Sequence, residues 1–182
     1  ETSTAVTGVL ESGLWESFGK VSEDDNGLIT LGDGGKLLTA ADAGANYQID
    51  VNIDTSSAGK VLFCYGYVDE NNYSCMEISP KRSRIILYRV ENGEEIWVLT
   101  KTISKLEDGK DYSFRFLCED GALYFIGIAD LPTTDMVIAL ENGMGKSGFI
   151  CEGGNLTILD LSLIRTESSA CEEGNTNPVM PN

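Results

Sequence analysis

The 182-residue chain contains no histidine. A serine triad, a Cys–His pair and a His-ligated zinc site all need an imidazole, so each is excluded. Basic residues are scarce as well: thirteen Lys and Arg stand against twenty-nine Asp and Glu, for a net charge of -16. A surface of that sign repels polyanions, which excludes nucleic acid as a partner and argues against anionic membrane surfaces. No apolar run approaches the roughly 20 residues needed to cross a bilayer, so membrane insertion is not expected. The first residues, "ETSTAVTGVLESG", lack the charged and apolar regions of a signal peptide, and the chain reads as a mature or excised piece.

The five cysteines, Cys64, Cys75, Cys118, Cys151 and Cys171, are odd in number and show no CxxC spacing. Neither a zinc knuckle nor a thioredoxin-type motif is present. Cys64, Cys75 and Cys118 fall in strand-like runs, where a buried free cysteine behaves as a small apolar residue; a Cys64–Cys75 disulfide is the competing reading.

With 42% hydrophobic side chains, the chain can build one ordinary core and is short for two domains. No stretch keeps a helical period over ten residues or more, whereas period-2 runs recur between turn signals. Strands are predicted near 28–31, 36–40, 46–53, 60–68, 72–79, 83–90, 94–102, 111–118, 122–129, 135–140, 147–151 and 155–165. That spacing predicts an all-β, antiparallel two-sheet β-sandwich over residues 1–166, with less than about a tenth helix. Residues 167–182, short of apolar side chains and holding two of the four prolines, are expected to be a C-terminal linker or frayed tail. A linker implies neighbouring domains of a larger protein.

Hairpin register then sorts side chains onto faces. Around Asp69 to Asn72, one face is predicted to carry Val61, Phe63, Tyr65, Tyr67, Met76 and Ile78 as core. The opposite face carries Leu62, Cys64, Gly66, Tyr73, Cys75 and Glu77, which reads as the floor of a groove. Asn92-Gly93 is a two-residue turn signal that sets Tyr88 opposite Trp97, with Ile86 and Leu99 beside them; Ile85, Leu87, Ile96 and Val98 form the core side. Asp120-Gly121 gives a third hairpin, separating Phe114, Phe116, Leu123 and Phe125 from Arg115, Leu117, Tyr124 and Ile126.

The segments "YQIDVNIDTSSAGKVLFCYGYVDENNYSCMEIS", "IILYRVENGEE", "LEDGKDYSFRF", "GALYFIGI" and "SGFICEGGNLTILDLSL" together resemble the concanavalin A-like lectin/glucanase jelly roll. Within it they are most similar to carbohydrate-binding module family 66, non-catalytic modules attached to fructan-degrading enzymes. In this chain Cys64 stands where an arginine often follows the phenylalanine, and Cys151 where a glycine is usual. The resemblance implies a secreted or cell-surface protein that binds a glycan such as terminal fructose.

The fold hosts enzymes and binders alike, so residues must decide. Retaining glucanases of this fold carry E-x-D-x-E or E-x-D-x-x-E, because acid and nucleophile must lie about 5 Å apart. No such motif exists here. The nearest stretch, "QIDVNID", projects Gln48, Asp50, Asn52 and Asp54 to one side, as an ordinary solvent-facing strand does. No catalytic residue is assigned. A structural calcium ion is the one candidate cofactor, with Asp24, Asp25 and Asn26 in "EDDNG" as candidate ligands against a plain acidic turn.

Glu77 is the odd residue on its face. An arginine or a backbone N–H could satisfy it, or its strand could lie at an edge facing water. The functional alternative is sugar recognition: Tyr73, Tyr88 and Trp97 supply ring faces, Glu77 accepts hydroxyls, and Arg89 or Arg115 donates. Tyr88 and Trp97 could equally be core. Three classes remain: a carbohydrate-binding module, a glycoside hydrolase with unrecognised carboxylates, and a structural or adhesive domain. The first is favoured, as a monomer.

Overall fold

The computed structural model describes residues 8–41, 46–54, 60–79, 84–102, 111–128, 136–139 and 145–165. Among the described residues there are fourteen strands: β1 (Trp15–Phe18), β2 (Val21–Glu23), β3 (Ile29–Leu31), β4 (Lys36–Thr39), β5 (Tyr47–Asp54), β6 (Val61–Asp69), β7 (Asn72–Ser79), β8 (Arg84–Glu91), β9 (Glu94–Thr102), β10 (Asp111–Glu119), β11 (Ala122–Ile128), β12 (Met136–Ala139), β13 (Lys146–Cys151) and β14 (Leu156–Arg165). Among the described residues the only helical element is a 3-10 turn, Val9–Glu11. The twelve expected strands are present. β1 and β2 were not expected; "WESF" and "VSE" are too short to show a period.

Two seven-stranded antiparallel sheets form a sandwich. The first runs β1-β4-β13-β6-β7-β8-β9 and the second β12-β11-β10-β5-β14-β3-β2. Alternation along β5 and β10 turns Tyr47, Ile49, Val51 and Ile53, and Tyr112, Phe114, Phe116 and Cys118, toward the first sheet. There they meet Val61, Phe63, Tyr65, Met76, Ile78, Ile85, Leu87 and Phe149. The Tyr47 hydroxyl also lies 2.8 Å from the Ser147 hydroxyl, so one polar contact ties the sheets inside this core.

Two of the hairpins close on positive-φ pairs, Asn92 (φ 52) with Gly93 (φ 80) and Asp120 (φ 48) with Gly121 (φ 77). This is the two-residue turn whose twist matches the strands it joins, and it requires Asn, Asp or Gly. Both turns fall where the sequence placed them.

Two bulges move side chains off their expected faces. In β6–β7 the register slips between Tyr65 and Asp69, at Gly66 with φ 58. Tyr67 therefore leaves the core and packs outside against Tyr73, rings 5.5 Å apart. In β8–β9, Leu87 pairs with Leu99 and Tyr88 with Trp97, leaving Val98 as the extra residue. Leu99 thus lies across from Leu87 instead of beside Ile86. Ile96 and Val98 do not close the core: β9 is the sheet edge, and Trp97, Val98 and Leu99 are exposed. A bulge on an edge strand is a common way of disrupting a ladder that would otherwise recruit another chain.

Candidate functional site on the outer face of the first sheet

The face of the first sheet turned away from the core is covered by a second, smaller apolar cluster: Leu38, Leu62, Cys64, Cys75, Ile86, Tyr88 and Ile150, with Tyr67, Tyr73 and Val90 packed on it. It is a filled surface and not the open groove floor expected from the sequence; Cys64 and Cys75 are wholly buried and Tyr88 is nearly so. One row across the strands reads Trp97, Tyr88, Cys75, Cys64, Gly148, Leu38 and Glu16. The adjacent row reads Thr100, Ile86, Glu77, Leu62, Ile150 and Lys36.

Glu77 is consequently a carboxylate set between Leu62 and Ile86, only 8% exposed. A charge so placed needs partners. Its Oε1 accepts from the Ser79 hydroxyl at 3.2 Å and lies 3.4 Å from the Lys60 ammonium. Lys60 also reaches Glu152 Oε2 at 3.7 Å, so one cation stands between two carboxylates. Glu152 follows β13 on a turn pinned to the β3–β4 turn: Gly153 N–H donates to Asp33 Oδ1 at 3.0 Å, and Cys151 N–H to Gly35 O at 2.9 Å. Its charge lies near Tyr73, Tyr88 and Cys75.

Tyr73 and Tyr88 stay protonated at neutral pH. Burial pushes Tyr73 up to about 12 and Tyr88 higher still, with Tyr88 bonded to the Cys75 sulfur. These two rings therefore offer a neutral hydroxyl rather than a charge. Trp97, on the edge strand opposite Tyr88, exposes 61% of its surface while its indole N–H donates to Glu95 Oε1 at 3.1 Å. At the other end, Lys36 stands 5.8 Å over the Tyr67 ring and 3.8 Å from Glu70.

Of the residues singled out in the sequence, Tyr73, Glu77, Tyr88 and Trp97 share this face. Arg89 and Arg115 do not. Arg89 alternates to the opposite side of β8 from Tyr88 and pairs with Glu91 at 2.9 Å. Arg115 is on the other sheet: its neighbours Phe114 and Phe116 fill the core, so its side chain emerges on that sheet's outer face. There it grips Asp50 through Nε at 2.8 Å and Nη2 at 3.0 Å. Lys60 and Glu152 stand on this face instead, and Tyr67 joins them. Period-2 counting from Leu62 and Ile150 reaches Lys60 and Glu152, and a glycine inside a strand is the sign of the bulge that turns Tyr67.

The Arg115 hydrogen bonds hold the Asp50 carboxyl below its ordinary range. A depressed folded-state value stabilises above the unfolded value, about 3.9, and the gain is lost as pH falls through the folded value. Both partners are partly exposed, so the contribution is under about 1 kcal/mol. Asp50→Asn should lose stability at pH 6 and converge on the unsubstituted protein toward pH 2, as read by thermal midpoints; a constant difference across that range would contradict this.

The acidic turn is closed by its own hydrogen bonds. Asp24 Oδ1 accepts the backbone N–H groups of Asn26 and Leu28, each at 2.9 Å, which closes the turn. Among the described residues no group of three or more Asp, Glu or Cys side chains is placed to hold a metal ion.

No protein-family profile matches the chain and no curated protein matches it significantly. Solved structures do. The carbohydrate-binding module CBM66 from Bacillus subtilis is similar over 84% of this chain and 96% of its own, with a TM-score of 0.66 and 14% identity. The fold is the concanavalin A-like jelly roll. The exoplasmic/lumenal domain of VIP36, in its Ca2+/Man3GlcNAc-bound form, matches over 88% of each chain at a TM-score of 0.62 and 13% identity. A β-glucanase of Bacillus licheniformis matches over 86% of this chain and 94% of its own, at 0.61 and 11%. At such identities the likeness carries the fold, and the residues must carry the function.

Proposed function

We propose that this jelly roll is a non-catalytic carbohydrate-binding module that recognises a glycan on the outer face of its first sheet. The observation that carries the reading is the convergence there of Tyr67, Tyr73, Tyr88 and Trp97 with Glu77, Lys60 and Glu152. Sugar rings stack their C–H faces on aromatic groups, and their hydroxyls pair with charged acceptors and donors. The CBM66 and VIP36 structures, described as a carbohydrate-binding module and as a Man3GlcNAc-bound form, support the reading by fold.

The ligand is a chain-end sugar, terminal fructose being the first to test, and the protein a monomeric module of a secreted or surface polysaccharide-degrading enzyme. Among the described residues the two widely exposed rings of this face, Trp97 on β9 and Phe18 on β1, stand at opposite edges of the sheet, whereas a long polymer track needs several side by side. Affinity should be micromolar to millimolar, about 4–8 kcal/mol. Trp97→Ala should weaken binding more than about fivefold, roughly 1 kcal/mol. Isothermal titration with levan, inulin, xylan, pectin and β-glucan oligosaccharides tests this. Equal affinity for a polymer and its end-blocked form would exclude the terminal mode.

The β-glucanase likeness makes hydrolysis the reading to test against. Among the described residues Glu77 and Glu152 are the carboxylates that share a cation on this face, and Lys60 stands between them where a scissile bond would have to lie. No reducing sugar should be released. Release abolished by Glu77→Gln would overturn the non-catalytic assignment. The exposed edge Trp97, Val98 and Leu99 favours a second reading, a structural or adhesive domain, which glycan binding lost in Trp97→Ala would disfavour.

A further inference from the structure

Beneath Tyr88 the outer face holds two cysteines in direct cross-strand register, Cys64 on β6 and Cys75 on β7. Both belong to the outer cluster, so both side chains project to the same side of the sheet. Both are free thiols and neither is exposed. Cys64 makes a weak S–H contact with Gly148 O at 3.5 Å, while the Cys75 sulfur takes the Tyr88 hydroxyl. Cα atoms directly opposite in an antiparallel pair are about 4.5–5.5 Å apart, inside the ~4.4–6.8 Å that a disulfide spans. The strand register sets Cys118 opposite Tyr47 and Leu123, and Cys151 opposite Val61.

We propose that Cys64 and Cys75 form a redox-closable pair that a low-molecular-weight disulfide, such as oxidised glutathione, converts to a cross-strand disulfide. One thiolate attacks the small disulfide, forming a mixed disulfide and releasing one small thiol. The second cysteine then displaces the other. Two S–H bonds are lost, one S–S bond forms, and the two electrons and two protons leave on two molecules of reduced glutathione. Because both sulfurs are buried, the reaction waits on opening of the sheet, for which the neighbouring bulge at Gly66 is the nearest irregularity. Closure ties together the strands that carry Tyr67, Tyr73 and Glu77. It also turns the acceptor of the Tyr88 hydroxyl into a disulfide sulfur.

The test treats the folded chain with oxidised glutathione, blocks the remaining thiols in denaturant and digests with trypsin. Lys60 and Lys81 bound a single peptide holding both cysteines. The expected result is an unblocked Val61–Lys81 peptide lighter by two hydrogens, restored by dithiothreitol, in a chain that keeps the other three of its five thiols. The measurement needs no variant. Cys64→Ser should then lose no pair of thiols, and Cys118→Ser should lose the same pair as the unsubstituted chain. A fully blocked Val61–Lys81 peptide after prolonged oxidation, or a pair lost equally from Cys64→Ser, overturns the proposal.

Discussion

Phe63→Ala should destabilise the protein by about 3–5 kcal/mol and lower its thermal midpoint by roughly 6–20 °C. Phe63 is completely buried on β6 of the first sheet and stacks on Phe116 of the second, ring centroids 3.7 Å apart and planes 13° from parallel. Phe149 meets it at 5.5 Å and Phe116 passes the contact on to Phe125 at 5.2 Å. Removing the ring opens a cavity between sheets whose remaining contacts are already fixed by two strand ladders, so collapse is limited. Phe63→Leu, which fills most of the space, should cost much less. Val68, 70% exposed at the far end of the same strand, is the control: Val68→Ala should change stability by less than about 0.5 kcal/mol. Urea unfolding measures all three, and a loss below about 1 kcal/mol for Phe63→Ala would mean that the interlayer stack does not carry the core.

The fold was legible in the sequence because β5 and β10 alternate with period 2 and two hairpins close on turns that only certain residues can make. "YQIDVNID" alternates buried and half-buried over its whole length, and Asn92-Gly93 and Asp120-Gly121 adopt the positive φ pair their residue types favour. β1 and β2, four and three residues long, carry too few positions for a period to show. The bulges were illegible for a different reason. Each inserts residues into one strand alone, and the sequence of that strand looks the same with or without the insertion unless a glycine marks it, as Gly66 does and nothing marks Val98.

The site was legible within one hairpin and not between sheets. Register relative to a turn puts Tyr73 with Glu77 and Tyr88 with Trp97. No local pattern says that β10 lies in the other sheet, which is what removes Arg115 from the site. Its partner could have been guessed: Asp50 and Arg115 are Cα partners on β5 and β10, the arrangement that lets a guanidinium fork grip a carboxylate. Arg89 is excluded by strand alternation alone. The positions that replace them, Lys60 and Glu152, lie just outside β6 and β13, one period-2 step beyond Leu62 and Ile150, and no pattern within either strand says that the two strands pair.

Glu77→Ala should abolish most glycan binding if the proposed face is the site. Hydrogen bonds from sugar hydroxyls to a desolvated carboxylate contribute about 1.5–3 kcal/mol, a loss of roughly 10- to 150-fold in affinity. The cost to folding should be smaller. Lys60 is 39% exposed and keeps Glu152 as a partner, so its charge rehydrates instead of being stranded. Only the Ser79 hydroxyl loses its acceptor outright. Glu77→Gln separates charge from shape: a fold intact by circular dichroism with affinity still falling more than about tenfold assigns the effect to the carboxylate. Lys60→Ala completes a double-mutant cycle with Glu77→Ala. If Glu77 serves only to position Lys60, the double variant should bind no worse than either single one; if both touch the sugar, the losses should add to within about 0.5 kcal/mol. Unchanged titration curves for Glu77→Ala and Glu77→Gln, with native spectra, would move the binding site off this face.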